Sequence, residues 1–409
     1  MFRWRTTATM TTSKDVLIVV ISGNYSTGLG LVRSLGSAGY KIDLVSTVKR
    51  KGSSQIASSS KYVRNSSEIF MTGDDERDQQ NILDKIKEYR KESGFTKILI
   101  PADDKSSFIL DAFREDLRKD FIIAGTVSDG VKGLASLMDK AVQGRAASEF
   151  GLKRPEEWMI DLSSSEDIPS DMVFPCFIKP LRSIEGNKTE MSKANNADEL
   201  RERLNKLRME DSDRAVLVQR YLEIDKEYDI GGVCLDDKVI IPGMIEKIRV
   251  AQFERGVTLA GKMVSCESLG ETYDRICDMM RSFHYTGLFD LELILSEGEL
   301  YLNEVNFRAG GPNYSYTLNG NNLPAMLISG ILGNDPETKY QGFREGRTFV
   351  YEKVAWEEYI QGFMTKKELR ETIEGADMRL LANSEDPGPG KIFEKRIRLS
   401  MLKHKLLRR

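Results

Sequence analysis

Two extended segments in the last third of the chain leave few options for the local fold. They are Phe289–Leu295 (FDLELIL) and Leu302–Gly311 (LNEVNFRAGG). Side chains alternate across a strand, so Glu304, Asn306 and Arg308 share one face, while Val305 and Phe307 point into the core. The pattern therefore predicts a β-hairpin with one polar face and one buried face.

The predicted register brings carboxylates together on the polar face. With Gly298 as the left-handed residue of a three-residue loop, Asp290 lies opposite Glu304 and Glu292 lies diagonal to it. These carboxylates would repel one another unless a cation lay between them, and Mg²⁺ prefers such hard oxygen ligands. Arg308 offers a planar fork of donors that suits phosphate oxygens. A solvated edge hairpin is the alternative, but the complete pattern favours a site for metal and nucleotide.

Length and charge limit the class of protein. A chain of 409 residues is too long for one simple core and suggests two or three domains. The formal net charge of -3 argues against general nucleic-acid binding. Val16–Ile21, the longest apolar run near the start, is far too short to span a bilayer, so we expect no transmembrane segment. The basic first residues lack the apolar stretch of a secretion signal, and Met10 is an alternative start to Met1.

Cysteine and histidine usage argues against several kinds of site. The four cysteines are scattered without Cys-x-x-Cys spacing, so we expect reduced thiols and a cytoplasmic location. His284 and His404 are the only histidines, which nearly excludes His-rich metal sites and most Ser-His-Asp arrangements. The aromatic neighbours of His284 favour a packed or hydrogen-bonded histidine over a catalytic one.

The N-terminal third alternates apolar runs with amphipathic segments. The predicted strands are Val16–Ser22, Lys41–Ser46, Lys97–Pro101 and Phe121–Ala124, and the predicted helices are Gly28–Ala38, Gln79–Lys91 and Ser106–Leu117. This alternation predicts an open parallel sheet with helices on both faces. Ligands bind at the carboxyl edge of such sheets, so the turn from Gly23 to Gly30 and the segment Pro101–Asp104 are candidate walls of a substrate site. For the glycines, a tight turn with a purely structural role is the alternative.

The pattern changes after residue 130. We predict helices at Met138–Phe150 and Tyr273–Phe283, and strands at Val173–Pro180, Ala215–Leu222, Ile230–Cys234 and Val239–Ile245. The polar stretch Leu181–Met191, with Lys188, is predicted to be a loop. A single lysine at a strand end is usually a surface residue. Lys140, Lys179, this loop and the carboxylate hairpin together are harder to explain without a ligand.

From about Met138 to Gly333 the chain resembles the ATP-grasp superfamily. The resemblance implies an α/β protein with an N-terminal open parallel sheet (pre-ATP-grasp) domain, a two-subdomain α+β ATP-grasp domain and a short C-terminal extension. We expect these parts at 14–130, 131–335 and 336–409, with the subdomains divided near 219–222. In this superfamily a nucleotide lies between the two subdomains.

The resemblance also implies roles for individual residues and the cofactors ATP and Mg²⁺, with Mn²⁺ as an alternative metal. The implied nucleotide-binding residues are Lys140, Lys179, the hinge Gln219, Arg220, Tyr221 and Leu222, and Glu227 for the ribose. The implied metal ligands are Glu292, Glu304 and Asn306, and the implied catalytic residues are Arg308 and, in a lid, Lys188. The chain departs from the usual pattern at Gln219, where many relatives have glutamate, and at Phe307, where proline is common.

The segments around Asn313–Tyr316 and Asn322–Pro324 resemble carboxylate–amine ligases of the D-aspartate ligase kind. This implies an ADP-forming enzyme that makes an amide through an acyl phosphate, with an amino acid as one substrate and a cell-envelope precursor as a candidate partner. Arg249, Arg255 and Asn313 are candidate substrate contacts, since a guanidinium can hold a carboxylate with two hydrogen bonds. The alternatives are an ATP-binding regulatory protein without turnover and a metabolite-binding protein that uses the N-terminal sheet.

The last residues have a separate character. Ser384–Gly390 is rich in turn residues, and Lys391–Arg409 is a basic segment with interspersed apolar residues. A basic amphipathic helix can lie on an anionic membrane surface, and a solvated helix that closes the domain is the alternative. A homodimer is one expected oligomeric state.

Overall fold

The computed structural model describes residues 13–23, 25–164, 168–181, 191–211, 213–253 and 256–407. The strands are β1 (Val16–Ser22), β2 (Lys41–Val48), β3 (Val63–Phe70), β4 (Thr96–Pro101), β5 (Ile122–Ile123), β6 (Thr126–Val127), β7 (Glu157–Asp161), β8 (Cys176–Pro180), β9 (Ser192–Ala194), β10 (Ala215–Arg220), β11 (Lys226–Leu235), β12 (Lys238–Ile240), β13 (Met244–Val250), β14 (Thr258–Val264), β15 (Tyr285–Ser296), β16 (Glu299–Asn306), β17 (Thr348–Val350) and β18 (Met378–Arg379). The helices are α1 (Tyr25–Ser37), α2 (Gln55–Ser58), α3 (Asp75–Glu88), α4 (Asp104–Ala112), α5 (Arg114–Leu117), α6 (Leu134–Leu137), α7 (Lys140–Glu149), α8 (Ala197–Glu210), α9 (Glu271–Ser282), α10 (Asn313–Leu318), α11 (Leu323–Ile331), α12 (Glu352–Gln361), α13 (Lys366–Glu374) and α14 (Gly388–Leu407).

The N-terminal part forms the predicted open parallel sheet, in the order β3-β2-β1-β4-β5. Every residue of β1 is buried, because helices cover both faces of the sheet. The edge strand β3 was not predicted. Its sequence VRNSSEIF is mostly polar and exposed, so it lacks the apolar run that identified the central strands.

A second, four-stranded antiparallel sheet has the order β7-β10-β8-β9. The amphipathic helix α8 covers it with Leu200, Leu204 and Leu207. Strand β8 ends at Lys179 and Pro180. After β10 the chain crosses to the third sheet through residues 221–225.

The third sheet is the largest and runs β16-β15-β11-β13-β14-β17-β18, with β12 paired to β11 and β6 paired to β15. Strand β6 comes from the expected N-terminal domain, and β17 and β18 come from the expected C-terminal extension. These flanking segments are therefore integrated into the central sheet. The predicted strand Val239–Ile245 is divided into β12 and β13 around Pro242, since proline cannot donate to a ladder.

One hydrophobic core joins the N-terminal sheet to the central sheet. It extends from β1 and α1 through α11 to β14, β17 and α12. Helices α10 and α11 pack against α1 on one side, and α11 packs on β11 on the other. The space between the two sheets is therefore held at a fixed width by packed side chains.

Helix α14 corresponds to the predicted basic segment at the end of the chain. It packs against α2 and α12, where Phe393 is buried. Arg396 donates to the carbonyl oxygen of Gly52, at 2.6 Å. None of the helices in the described ranges is long and apolar enough to span a bilayer.

Candidate active site

Strands β15 and β16 form the predicted charged hairpin, but its turn is one residue shorter than predicted. Glu297 and Gly298 have φ angles of 53° and 78°, and Ser296 pairs with Glu299. Positive φ at both central residues defines a two-residue turn of the type I′ kind. The predicted three-residue loop is wrong because Glu297, as well as Gly298, adopts the left-handed conformation.

A β-bulge at Asn303 shifts the register a second time. Beyond it, Glu292 pairs with Glu304 and Asp290 pairs with Asn306. The prediction that Asp290 lies opposite Glu304 is therefore wrong. The shorter turn and the bulge each shift the register by one residue, which gives two residues in total. Because side chains alternate with a period of two, Asp290, Glu292, Glu304 and Asn306 keep their predicted face.

Two lysines from neighbouring elements reach this hairpin. Lys140 is the first residue of α7, which Asp139 caps, and its Nζ lies 3.0 Å from Oε1 of Glu304. Lys179, at the end of β8, donates to Oδ1 of Asn303 at 3.1 Å. Both lysines are almost completely buried. The structure thus brings together two predicted cations and the carboxylate hairpin.

Asn303 was not among the predicted site residues. Its Nδ2 donates to Oε2 of Glu292 at 3.1 Å, while its Oδ1 accepts from Lys179. Simple strand alternation assigns Asn303 to the opposite face from Glu304. Because the bulge places it on the site face, only the pairing of the two strands identifies it.

Lys179 has an unusual electrostatic environment. Its pKa is lowered to about 7, chiefly by burial and also by the nearby cations Arg154 and Lys140, although Glu304 and Glu292 act in the opposite direction. Arg154 is held in place by the carbonyl oxygens of Leu302 and Asn303. An anion placed between these cations would stabilise the ammonium form of Lys179.

The hinge between the second and third sheets is held by hydrogen bonds. Gln219 donates from Nε2 to Oε2 of Glu157 at 2.7 Å, and the backbone N–H of Tyr221 donates to Pro175. No backbone carbonyl of the described residues accepts from the N–H of Leu222. The side chain of Gln219 is therefore occupied, and the hinge backbone is the part that can contact a ligand.

Arg220 and Glu227 flank this hinge. Arg220 lies 3.3 Å from Oε2 of Glu297, so it links the hinge to the turn of the charged hairpin. Glu227 is half-buried on β11, two residues before the buried Asp229. Alternation along the strand gives these two carboxylates the same face.

Arg308 bridges the hairpin and the N-terminal sheet. Its Nε lies 3.1 Å from Oδ1 of Asp104 and its Nη2 lies 3.4 Å from Oδ2, which is a two-point contact. Nη2 also donates to Oδ1 of Asn306 at 3.2 Å, and Nη1 lies 3.8 Å from Asp290. Asp104 begins α4, so the predicted wall at Pro101–Asp104 reaches the hairpin and orients its arginine.

A buried network of charges that was not predicted lies beside Glu292. Nζ of Lys247 is 3.0 Å from Oδ1 of Asp229 and 4.0 Å from Oε2 of Glu292. Burial raises the pKa of Asp229 to about 6, against the lowering effect of Lys247. Burial lowers the pKa of Lys247, but Glu292 and Asp229 outweigh this effect and raise it above the usual value. Burial, with Asp229 close by, also raises the pKa of Asp290 well above its usual value.

A cavity of about 500 Å³ adjoins this network and the N-terminal sheet. Both predicted walls line it, through Gly23 in the first turn and through Asp103 and Asp104. The N–H of Gly23 donates to Oδ2 of Asp103 at 2.5 Å, and burial raises the pKa of that carboxyl. Among the described residues, the basic side chains in the lining are Lys247, Arg308 and Lys353, and they lie with the carboxylates of Asp103, Asp104, Asp229, Asp290 and Glu292. Such a polar space suits a small molecule with charged groups.

Two of the predicted substrate contacts, Arg249 and Asn313, are not part of this cavity lining. Arg249 does not line the cavity; hydrogen bonds with Thr365 chiefly lower the pKa of Glu368, and the charge of Arg249 contributes to this lowering. A register shift between Lys247 and Arg249 breaks the alternation that would have placed both on one face. Asn313 is buried, donates to the carbonyl oxygen of Gly310 and also does not line the cavity. Arg255 and Lys188 lie outside the described residues.

Comparisons with known proteins give a consistent result. No protein-family model matches the chain. The large chain of carbamoyl phosphate synthase from Vibrio cholerae is 24% identical over 169 residues, which cover 40% of this chain and 16% of that protein. The L-amino acid ligase from Bacillus licheniformis superposes with a TM-score of 0.60 at 15% identity, covering 82% of this chain and 79% of the ligase. The chain has an ATP-grasp fold.

Another solved ATP-grasp neighbour contains bound nucleotide. The biotin carboxylase domain of 2-oxoglutarate carboxylase from Hydrogenobacter thermophilus, solved with MgADP, ADP and bicarbonate, has a TM-score of 0.60 at 15% identity. The superposition covers 81% of this chain and 73% of the neighbour's chain. The curated relatives are much longer than the matched region, since the chain spans only 16% and 18% of two of them.

The donor set of the hairpin fits a magnesium ion shared with a nucleotide. Among the described residues, no three His, Cys, Asp or Glu side chains are grouped so that they could hold a metal alone. Glu292, Glu304 and Asn306 instead offer two carboxylates and one amide oxygen on neighbouring positions. Mg²⁺ is commonly bound by one or two carboxylates together with phosphate oxygens. Within the ATP-grasp fold of this chain, these residues therefore suit a metal–phosphate complex.

Proposed function

We propose that this chain is an ATP-dependent, ADP-forming carboxylate–amine ligase that makes an amide through an acyl phosphate, with an amino acid as one substrate. The observation that carries the proposal is the arrangement at β16. Lys140 and Lys179 meet a hairpin with the paired carboxylates Glu292 and Glu304, and a polar cavity lies directly beside it. A phosphate-binding surface next to space for a small charged molecule is what such a reaction needs.

In this proposal, ATP binds between the second and third sheets. The backbone of Gln219–Leu222 contacts the adenine edge, Glu227 binds the ribose, and Lys140 and Lys179 contact the phosphates. Lys188 acts from the lid. Glu292, Glu304 and Asn306 hold Mg²⁺, or Mn²⁺ as an alternative, and the bound ion neutralises charge on the phosphates.

The proposed reaction has two steps. A substrate carboxylate oxygen attacks the γ-phosphorus, the bond to the bridging oxygen breaks and ADP leaves. The amine, after losing a proton to solvent, then forms a C–N bond to the acyl carbon. Phosphate departs with the C–O bonding electrons, and a second proton is lost to solvent. Exclusion of water matters because the acyl phosphate hydrolyses easily.

Arg308 is proposed to stabilise the transferred phosphoryl group. Asp104 and Asn306 fix its guanidinium next to the cavity, so little reorganisation is needed as negative charge develops. Lys247, between Asp229 and Glu292, is a further cation at the same edge of the cavity.

For the acid, we propose a small or acidic amino acid, with D-aspartate as the first candidate. Support comes from the polar cavity and from its basic residues Arg308 and Lys247 beside the hairpin. A cytoplasmic cell-envelope precursor is the corresponding proposal for a larger partner, and a homodimer is the proposed assembly.

The test combines a chemical trap with an isotope label. With enzyme, Mg·ATP, the correct acid and hydroxylamine in place of the amine, we expect a hydroxamate and one ADP per turnover. With ¹⁸O in the substrate carboxylate, we expect the label in released phosphate. AMP and pyrophosphate as products would contradict the proposal. ATP binding without turnover for any acid would favour a regulatory protein, and no ATP binding would favour a metabolite-binding protein.

A further inference from the structure

A second depression adjoins the proposed substrate cavity and has a different chemical character. It is a groove of about 380 Å³ between α2, α12, α14 and the segment before β14. Its apolar lining residues are Ile56, Phe253, Ile360, Phe393 and Ile397, and its polar lining residues are Lys353, Glu357, Gln361, Arg396 and Ser400. We refer to it as the apolar groove.

Lys353 links the two spaces. It lines both the polar cavity and the apolar groove, near the start of α12. Its Nζ lies 3.1 Å from Glu357, which also lines the groove. A ligand that extends from the cavity into the groove would therefore pass a lysine at the border.

Described residues near the start of β14 line each of the two spaces. Gly256, Val257 and Thr258 line the cavity, while Phe253, three residues earlier, lines the groove. The N–H of Phe253 donates to Oε1 of the buried Glu358 at 2.7 Å. This contact fixes the backbone of Phe253 at the groove, although Phe253 is 53% exposed.

The order of the two proposed steps assigns the groove to the amine. The acid has to lie beside Arg308 and the hairpin, where the phosphoryl group is transferred. The amine must approach the acyl carbon through the rest of the cavity, so the remainder of that molecule extends away from the hairpin. Lys353 and the groove lie in the space that remains.

Resting on the proposed function, we propose that the amine substrate is an amino acid with a large apolar side chain. Its carboxylate pairs with Lys353, and its side chain packs against Phe253 and Ile360 in the apolar groove. Binding sites commonly combine apolar walls with a few well-placed charged groups, and this pairing matches an amino acid with both features.

The first test compares amines in the complete enzyme with Mg·ATP and the acid identified by hydroxamate formation. We expect kcat/KM for leucine to exceed that for glycine by about tenfold or more, since a few buried methylenes have effects of this size. The leucine-to-glycine ratio should fall in Ile360→Glu and in Phe253→Ala. Leu399→Glu is the matched control, because Leu399 is exposed on α14 and does not line the groove.

The second test concerns Lys353. We expect Lys353→Met to raise the KM for leucine by about tenfold, but to change the KM for isoamylamine much less, because that amine has the same branched chain without the carboxylate. Ile360→Glu should raise the KM for both leucine and isoamylamine.

The outcomes separate this inference from the proposed function. Hydroxamate formation with equal kcat/KM for glycine and leucine would overturn the groove assignment alone. An unchanged ratio in both Ile360→Glu and Phe253→Ala would do the same. Absence of hydroxamate with every acid would overturn the proposed function and, with it, the assignment of the amine.

Discussion

Lys179 illustrates how burial and neighbouring cations can prepare a residue for an anionic ligand. The side chain is nearly inaccessible, and its hydrogen bond is to the neutral oxygen of Asn303. Burial and two neighbouring cations lower its pKa to about 7, so the ammonium form is only marginally favoured at neutral pH. Phosphate oxygens would supply the missing negative charge. The charge of this residue should thus depend on whether nucleotide is bound.

This environment predicts that Mg·ATP affinity depends on pH. Nucleotide favours protonated Lys179, so affinity should be highest below about pH 7 and fall by up to tenfold per unit as pH rises above it. Calorimetry at pH 8 in buffers of different ionisation enthalpy should detect proton uptake on binding. Lys179→Arg keeps the charge at all these pH values and should flatten the dependence. An equally steep dependence in that variant would assign the titration to another group.

Glu304 gives the second prediction for a single residue. Glu304→Gln should remove nearly all turnover, because it removes a carboxylate proposed to hold Mg²⁺ and pair with Lys140. The isosteric change should leave the fold and thermal unfolding close to those of the parent. ADP formation measured with excess Mg²⁺ is the readout, and Glu299→Gln, at the exposed start of the same strand, is the matched control. Product formation near the parent rate would rule out this role.

The charged hairpin is the element that defines the site. Two irregularities determine its register, namely the two-residue turn at Glu297–Gly298 and the bulge at Asn303. The bulge has a chemical consequence, because it adds an amide that connects Lys179 to Glu292. A strand of uniform alternation would leave a gap between the lysine of one sheet and the carboxylate of the other.

We therefore predict that Asn303→Ala lowers kcat/KM for ATP by about tenfold or more. The change removes two hydrogen bonds to charged groups, each typically contributing about 1.5–3 kcal/mol. Steady-state kinetics with varied ATP is the measurement. Asn303→Asp retains an acceptor for Lys179 but places a second carboxylate against Glu292. The decrease in kcat/KM for ATP in this variant should therefore become smaller at higher Mg²⁺. Parent-like kinetics in Asn303→Ala would mean that the bulge has no functional role.

The whole molecule is joined by a buried ion pair far from the hairpin. Arg33 on α1 pairs with Asp386 at 2.9 Å, and both side chains are inaccessible. The guanidinium also donates to the carbonyl oxygens of Leu380 and Leu381, and Asp386 accepts from the N–H of Lys61. The segment before α14 is thereby attached to the helix that begins at the cavity wall. The C-terminal residues are thus part of the framework that supports the site.

Breaking this pair should destabilise the fold strongly. Arg33→Met leaves a buried carboxylate and three carbonyl oxygens without their donor, and we expect the free energy of unfolding to fall by about 3–5 kcal/mol. Urea unfolding followed by tryptophan fluorescence is the measurement. Arg370→Met is the matched control, since its pair with Glu374 is exposed and should contribute less than about 1 kcal/mol. Equally small decreases in the free energy of unfolding in Arg33→Met and Arg370→Met would contradict the prediction.

Much of the fold and part of the candidate site could be predicted from local patterns. The apolar run of β1, the alternation in β15 and β16 and the positions of Lys140 and Lys179 all depend on neighbouring residues in the chain. Alternation assigned Glu292, Glu304 and Asn306 to one face whatever the register was. The resemblance to ATP-grasp proteins then supplied the roles, which stay predictions.

The other parts of the site depend on residues that are distant in sequence. Asp104 and Arg308 are separated by 204 positions, and Lys247 meets Asp229 only after β11 and β13 pair. The absence of Arg249 from the cavity lining and the placement of Asn303 on the site face accompany bulges, whose positions depend on how two strands fit together. Backbone periodicity is a property of adjacent residues and can be read from them. Register, charge pairing and cavity shape arise when separate elements share one core, so they were decided by the packing of the folded chain.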